Sequence, residues 1–174
     1  MPQDALVKSN QARVEPATLE DLPQLVQMAM DLFELEGDFE PSYEKQERGL
    51  KLILEEPSRG RIFVLRNDDL IMGMVNILFT ISTAEGGLVL ILEDFFIHPS
   101  HRGQSYGSKL LNAVRDFALA KDFKRITLLT DKISEESQRF FTRNGFDFSK
   151  MIPMRLHLDP NAPGSLVEKD KLSH

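Results

Sequence analysis

The 174 residues suit a single domain, and 41% hydrophobic with 28% charged residues is the composition of an ordinary globular chain. The absence of cysteine excludes disulfides, a thiolate nucleophile and cysteine–zinc sites. A net charge of −6, with the basic residues dispersed, argues against nucleic-acid binding and suits solubility or the attraction of cationic substrates.

Taken in chain order, residues 1–11 read as a flexible arm with no signal-peptide core, and Ala12–Pro16 reads as a first strand. Thr18 is a helix N-cap with acids in the first turn, and Leu22, Leu25, Val26, Ala29, Met30 and Phe33 follow at helical spacing until Gly37. Residues 42–56 form a second helix with Leu50, Ile53 and Leu54 on one face. Arg61–Arg66 and Leu70–Ile81 flank the turn residues Asn67, Asp68 and Asp69, which predicts a hairpin. Leu88–Ile97 is a continuous apolar run, as in a strand covered on both faces. A helix over Ser105–Lys121, a strand over Arg125–Thr130, a helix over Ser134–Asn144 stopped by Gly145, and a last strand over Met151–Leu158 complete the domain. Residues 159–174 are a tail. The order of elements predicts a mixed α/β domain around one sheet. No apolar run approaches the roughly 20 residues of a membrane span, so the expected location is the cytoplasm. Four scattered histidines show no metal-ligand spacing, and no metal is expected.

Two readings compete for the stretch that follows the Leu88–Ile97 strand. Gly103-Gln104-Ser105-Tyr106-Gly107 spells G-x-S-x-G, the nucleophile elbow of serine hydrolases, with Asp131 or Asp147 and His157 as available triad partners. Five residues, His98–Arg102, separate that motif from the strand, whereas an elbow needs the strand to enter the first glycine directly. The same residues also make an anion cradle. Gly103 and Gly107 allow close backbone approach, and Gln104–Ser108 supply the N–H groups of a starting helix. Arg102 adds a cation for phosphate. Glu93 and Asp94 end the strand beside it. Alternation puts these two acids on opposite faces, and Glu93 is the favoured candidate base.

Arg102-Gly103-Gln104-Ser105-Tyr106-Gly107 resembles the acyl-CoA-binding motif [Q/R]-x-x-G-x-[G/A] of the GCN5-related N-acetyltransferase (GNAT) superfamily. Leu92–Phe96 is similar to the spermidine/spermine-type small-amine branch, and Phe140-Phe141 with Gly145-Phe146 resembles the second signature of the superfamily. The resemblance implies a GNAT fold over residues 12–158, with a mostly antiparallel sheet splayed between its fourth and fifth strands and helices on both faces. It implies direct transfer of acetyl from acetyl-CoA, as co-substrate, to a primary amine of a small molecule, with a homodimer as a further expectation. Arg102, Gly103, Gln104, Ser105, Tyr106, Gly107 and Ser108 would hold the pyrophosphate. Phe95, Phe96 and Ile97 would flank the pantetheine arm, with Ser134, Ser137 and Phe141 also on the cofactor. Glu93 would be the catalytic base, and Phe33, Phe39 and Tyr43 would line the amine pocket.

Two positions depart from that pattern. Ser105 stands where glycine is usual and is expected to adopt helical backbone angles. Phe141 stands where a tyrosine acid is frequent and has no proton to give. The departures leave two alternatives, an acyl-CoA sensor with little chemistry and a serine hydrolase using Ser105.

Overall fold

The apolar runs in the middle of the chain become the three central strands of a five-stranded sheet. The structure, a computed structural model, describes residues 11–132 and 134–158. The chain divides into two compact units, Met1–Phe140 and Phe141–His174. In the first unit, β1 (Arg13–Pro16) precedes α1 (Leu22–Glu36) and α2 (Tyr43–Glu55). There follow β2 (Gly60–Asn67), β3 (Leu70–Ser82), β4 (Gly87–Ile97), α3 (Tyr106–Ala120), β5 (Ile126–Leu128) and the start of α4 (Glu135–Arg143). Spatial order equals chain order. The first three strand pairs are antiparallel and β4–β5 is parallel. The mixed sheet expected from the sequence, mostly antiparallel and flanked by helices, is therefore the one that forms.

Strand alternation divides the core. Ile62, Val64, Met74 and Phe96 pack with Leu25, Val26, Met28, Ala29 and Leu32 of α1 and with Leu50 of α2. Phe63 instead meets Phe117 of α3, with ring centroids 5.4 Å apart, and Phe79 and Phe123 complete that aromatic group. Leu110, Leu111 and Val114 of α3 are buried completely or nearly so. Each such side chain contributes about 2 kcal/mol by leaving water.

The entry to α1 is pinned by one carboxylate. Asp21 is 5% exposed. Its Oδ2 accepts from the Thr18 backbone N–H at 2.9 Å and from Arg66 Nη2 at 2.7 Å. Arg66 Nε also lies 2.6 Å from Glu15 Oε1, so β1, β2 and the start of α1 share one charged cluster. Gly37 stops α1 in the left-handed conformation, φ +71°, with its N–H donating to the Phe33 carbonyl.

Three expectations change. β5 is shorter than Arg125–Thr130, because its parallel ladder with β4 has three pairs, Leu90–Ile126 to Leu92–Leu128. Ser105 is not helical. With φ 61° and ψ 17° it is left-handed, at the point where the loop turns into α3, and that conformation explains why glycine would suit it better. Met151–Leu158, in the second unit, is not a strand, and Met151, Met154 and Leu158 are 82%, 91% and 90% exposed. A strand needs a ladder, and Pro153 in this segment has no N–H to contribute to one. In the same unit, Gly145 at φ +92° closes the end of α4, and its N–H donates to the Thr142 carbonyl. The expected arm at 1–10 and tail at 159–174 lie outside the described residues.

Two stability measurements check these assignments. Asp21→Ala leaves Arg66 without its buried partner and should cost about 3 kcal/mol in urea unfolding; an unchanged midpoint would contradict the pinning role. Ser105→Gly removes the left-handed strain, worth about 1–2 kcal/mol, against a smaller gain in unfolded-chain entropy. A net stabilisation of up to about 1 kcal/mol is expected, and a net loss would contradict the left-handed assignment.

Candidate functional site

The strand β4 carries an extra residue where the site begins. Asn76 of β3 pairs with Glu93, and Met74 pairs with Phe96. Asp94 and Phe95 therefore stand opposite Val75 alone, which is a β-bulge. Asp94 takes φ +44°, a left-handed angle that aspartate tolerates better than most residues. On the other edge of β4, the ladder to β5 stops at Leu92, immediately before the two acids. The regular alternation that would separate Glu93 and Asp94 is broken by the bulge.

The bulge turns Asp94 onto Asn76. Asn76 Nδ2 donates to Asp94 Oδ2 at 2.6 Å. Asn76 is 2% exposed, and its Oδ1 is buried with no hydrogen-bond partner. An unsatisfied buried acceptor of this kind costs about 1–3 kcal/mol. Burial first, and then the charge of Glu93, push the Asp94 carboxyl up to about 6, against the opposing donation from Asn76. Glu93 itself is exposed. Glu36, in the last turn of α1, is raised by desolvation and then by Asp94, Asp38 and Asp131. The C-terminal end of α1 adds its own negative dipole end to this field. Asn76 was not singled out from the sequence. The available signal was one amide inside the otherwise apolar stretch LIMGMVNILFTI.

Beyond β4 the chain makes a short 3-10 turn, Pro99–His101, in which His98 Nδ1 accepts from the Ser100 N–H. The histidine is thus engaged in shaping the turn. Arg102 Nε donates to the Ile97 carbonyl at 2.9 Å, and its guanidinium carbon lies 5.6 Å from the Phe96 ring centroid. Both contacts fix the cation at the strand end. Gly103 has φ +76° with open space where a side chain would be. The first turn of α3 closes with the Lys109 N–H donating to the Ser105 carbonyl. The N–H groups of Tyr106, Gly107 and Ser108 belong to the helix start, where intrahelical acceptors are lacking. Arg102 through Ser108 thus combine a fixed cation, a permissive turn and helix-start donors.

Gly107 also has a packing reason to be glycine. A Cβ there would stand 3.1 Å from the Phe140 ring and 3.8 Å from the Phe95 ring. Those two rings lie 5.6 Å apart, so α4, α3 and β4 meet at this point. Ser134 Oγ bonds Ser137 Oγ at 2.9 Å and accepts from the Ser137 N–H, which caps α4. Phe141 lies in the second unit, edge-on to Phe146 with ring centroids 5.6 Å apart. Phe33 and Phe39 pack together at 5.8 Å near the end of α1, and Tyr43 opens α2. His98–Arg102 intervene between β4 and Gly103, so Ser105 caps a helix and does not stand on a strand-to-helix elbow. A shallow open groove of about 720 Å³ runs along α3 beside β1, lined by Ala12, Val14, Ser105, Ser108 and Asn112 among others.

Comparison with known proteins places the fold. The chain is 28% identical over 86 residues to YhfO of Bacillus subtilis, an uncharacterized N-acetyltransferase. That match spans 49% of this chain and 58% of the relative. Among solved structures, a transcriptional regulator of Bacillus halodurans superposes with a TM-score of 0.73 at 26% identity, over 84% of this chain and 99% of its own. A predicted acetyltransferase of Clostridium acetobutylicum, solved with acetyl-CoA, gives a TM-score of 0.70 at 17% identity, over 85% and 97% of the two chains. The model of the acetyltransferase (GNAT) family matches residues 22–146, from the start of α1 through the Gly145-Phe146 pair. With a family match over most of its length, the chain belongs to the GNAT acetyltransferase family.

Proposed function

We propose that the protein transfers an acetyl group from acetyl-CoA directly to the primary amine of a small molecule. The observation that carries this reading is the juxtaposition at the end of β4. The β5 ladder stops at Leu92, and the Arg102–Ser108 cradle begins five residues after the strand. Helix-start N–H groups and a fixed guanidinium suit a pyrophosphate. Phe95, Phe96 and Ile97 lie between the cradle and the acids, alongside the path a pantetheine arm would take. Ser134 and Ser137, at the start of α4, offer hydroxyls to the same ligand. The structural likeness to an acetyltransferase solved with acetyl-CoA supports this choice of co-substrate.

The acceptor follows from charge. Glu36, Asp38, Glu93, Asp94 and Asp131 make a negative field at the bulge. Such a field favours an ammonium over a neutral or anionic acceptor, and the likeness of Leu92–Phe96 to small-amine acetyltransferases points the same way. Acetyl-CoA supplies the activated thioester. The chain supplies position and a carboxylate to receive the ammonium proton, for which Glu93 and Asp94 near the end of β4 are the candidates. No acyl-enzyme is required, which is consistent with a chain lacking cysteine.

Calorimetry with acetyl-CoA should show binding at tens of micromolar ligand. Arg102→Ala should weaken it about tenfold, the loss expected for one charge-assisted contact. No binding by the parent protein would overturn the proposal. In a thiol-release assay with acetyl-CoA and pooled primary amines, release should depend on the amine. Binding without amine-dependent release would instead identify an acyl-CoA sensor.

A further inference from the structure

We propose that the acceptor is an amphipathic monoamine, with its ammonium among the acids at the β4 bulge and its apolar body on the exposed rings where α1 gives way to α2. The inference rests on the acetyl-transfer reading, and it names the class of acceptor for that site.

The end of α1 lies against β4. Leu32 of α1 and Phe96 of β4 belong to one buried cluster, and Phe33 packs against it. Glu36 follows Phe33 by three residues, the spacing that makes two side chains neighbours on a helix surface. Its carboxylate feels the charge of Asp94, and that of Asp38 just beyond the helix. Gly37 turns the chain, and Phe39 comes back onto Phe33 with ring centroids 5.8 Å apart. Phe39 is 44% exposed, and Tyr43, the first residue of α2, is 47% exposed. Aromatic surface therefore adjoins a carboxylate that is coupled to the acids of the bulge. One small molecule can touch both places, because Glu36 stands beside the rings and feels Asp94.

Charge decides what can cover those rings. From Asp31 to Glu47 the chain carries seven acids and one base, Lys45. A two-fold interface with a second copy of this chain would present the patch to itself. The same acids would then face one another, and like charges across an interface repel. An anionic or neutral apolar ligand finds no counter-charge here. A diamine or an amino sugar satisfies the acids and makes poor use of the rings. A cation with an apolar body suits both, since covering apolar surface is favourable in its own right.

Ligand-observed NMR tests the patch without turnover. The protein is saturated with CoA, which has no acetyl group to give. Phenethylamine should then bind about tenfold tighter than ethylamine or better, the scale for an apolar group added to a hydrophobic site. Its ring protons should receive saturation from the protein. Phe39→Ala should weaken phenethylamine about tenfold and leave ethylamine unchanged. Phe39→Leu should restore most of the affinity, and CoA binding like that of the parent reports that each variant is folded. Equal affinity of the parent protein for the two amines would overturn the inference, and that comparison needs no variant. Phenethylamine binding indifferent to Phe39→Ala would overturn it as well.

Turnover gives a second reading. In the thiol-release assay with acetyl-CoA, kcat/KM for phenethylamine should exceed the values for putrescine and glucosamine by about tenfold or more. Phe39→Ala should narrow that gap chiefly through KM, because the ring binds the body of the acceptor equally before and during the chemical step. A higher kcat/KM for putrescine or glucosamine would overturn the amphipathic acceptor and leave acetyl transfer standing. If acetyl-CoA binds and no amine releases thiol, the acetyl-transfer reading fails, and the acceptor class fails with it whatever the amine binding shows.

Discussion

Two residues of β4, Asp94 and Phe95, face the single Val75 of β3. Much of the site's arrangement depends on that extra residue. An unbroken ladder would send successive side chains to opposite faces and leave each acid at an ordinary strand position. The bulge places Asp94 on the amide of a buried asparagine, in a left-handed conformation that few residues tolerate. The parallel ladder to β5 ends two residues before Asp94, at Leu92. The end of pairing with β5 and the placement of both acids therefore coincide within three residues.

The loop after β4 depends on a second constraint, the approach of three elements around Gly107. Phe140 from α4 and Phe95 from β4 both close on this position, and a methyl group would press on the Phe140 ring. Packing is one reason for glycine at 107. Two residues earlier the backbone turns left-handed at Ser105, where a side chain is tolerated at the expense of strain. The G-x-S-x-G letters thus arise from a packing glycine, a strained serine and an open turn at Gly103. They describe the start of a helix.

Much of this was legible in the sequence, and the exceptions have identifiable causes. Helical spacing from Leu22 to Phe33 and the stop at Gly37 located α1, and the Asp68-Asp69 turn located the β2–β3 hairpin. The apolar run before Glu93 located β4. These signals are local, carried by periodicity and turn chemistry. The bulge is not local. It exists because β3 supplies one residue where β4 supplies two, and neither strand's sequence alone records that count. Asn76 was overlooked for the same reason, since its partner lies 18 residues away across the ladder. The expected strand at Met151–Leu158 failed in the opposite sense. Its apolar letters promise a strand, but a strand also needs a neighbour to pair with.

The account turns on acetyl-CoA lying across the end of β4 and the start of α3. Backbone-amide NMR during an acetyl-CoA titration reads that placement directly. The account predicts that shift changes concentrate at Glu93–Ile97 and at Arg102–Ser108. Changes confined instead to Gln11–Val14, Asn112 and Asp116, along the groove between β1 and the outer face of α3, would contradict it.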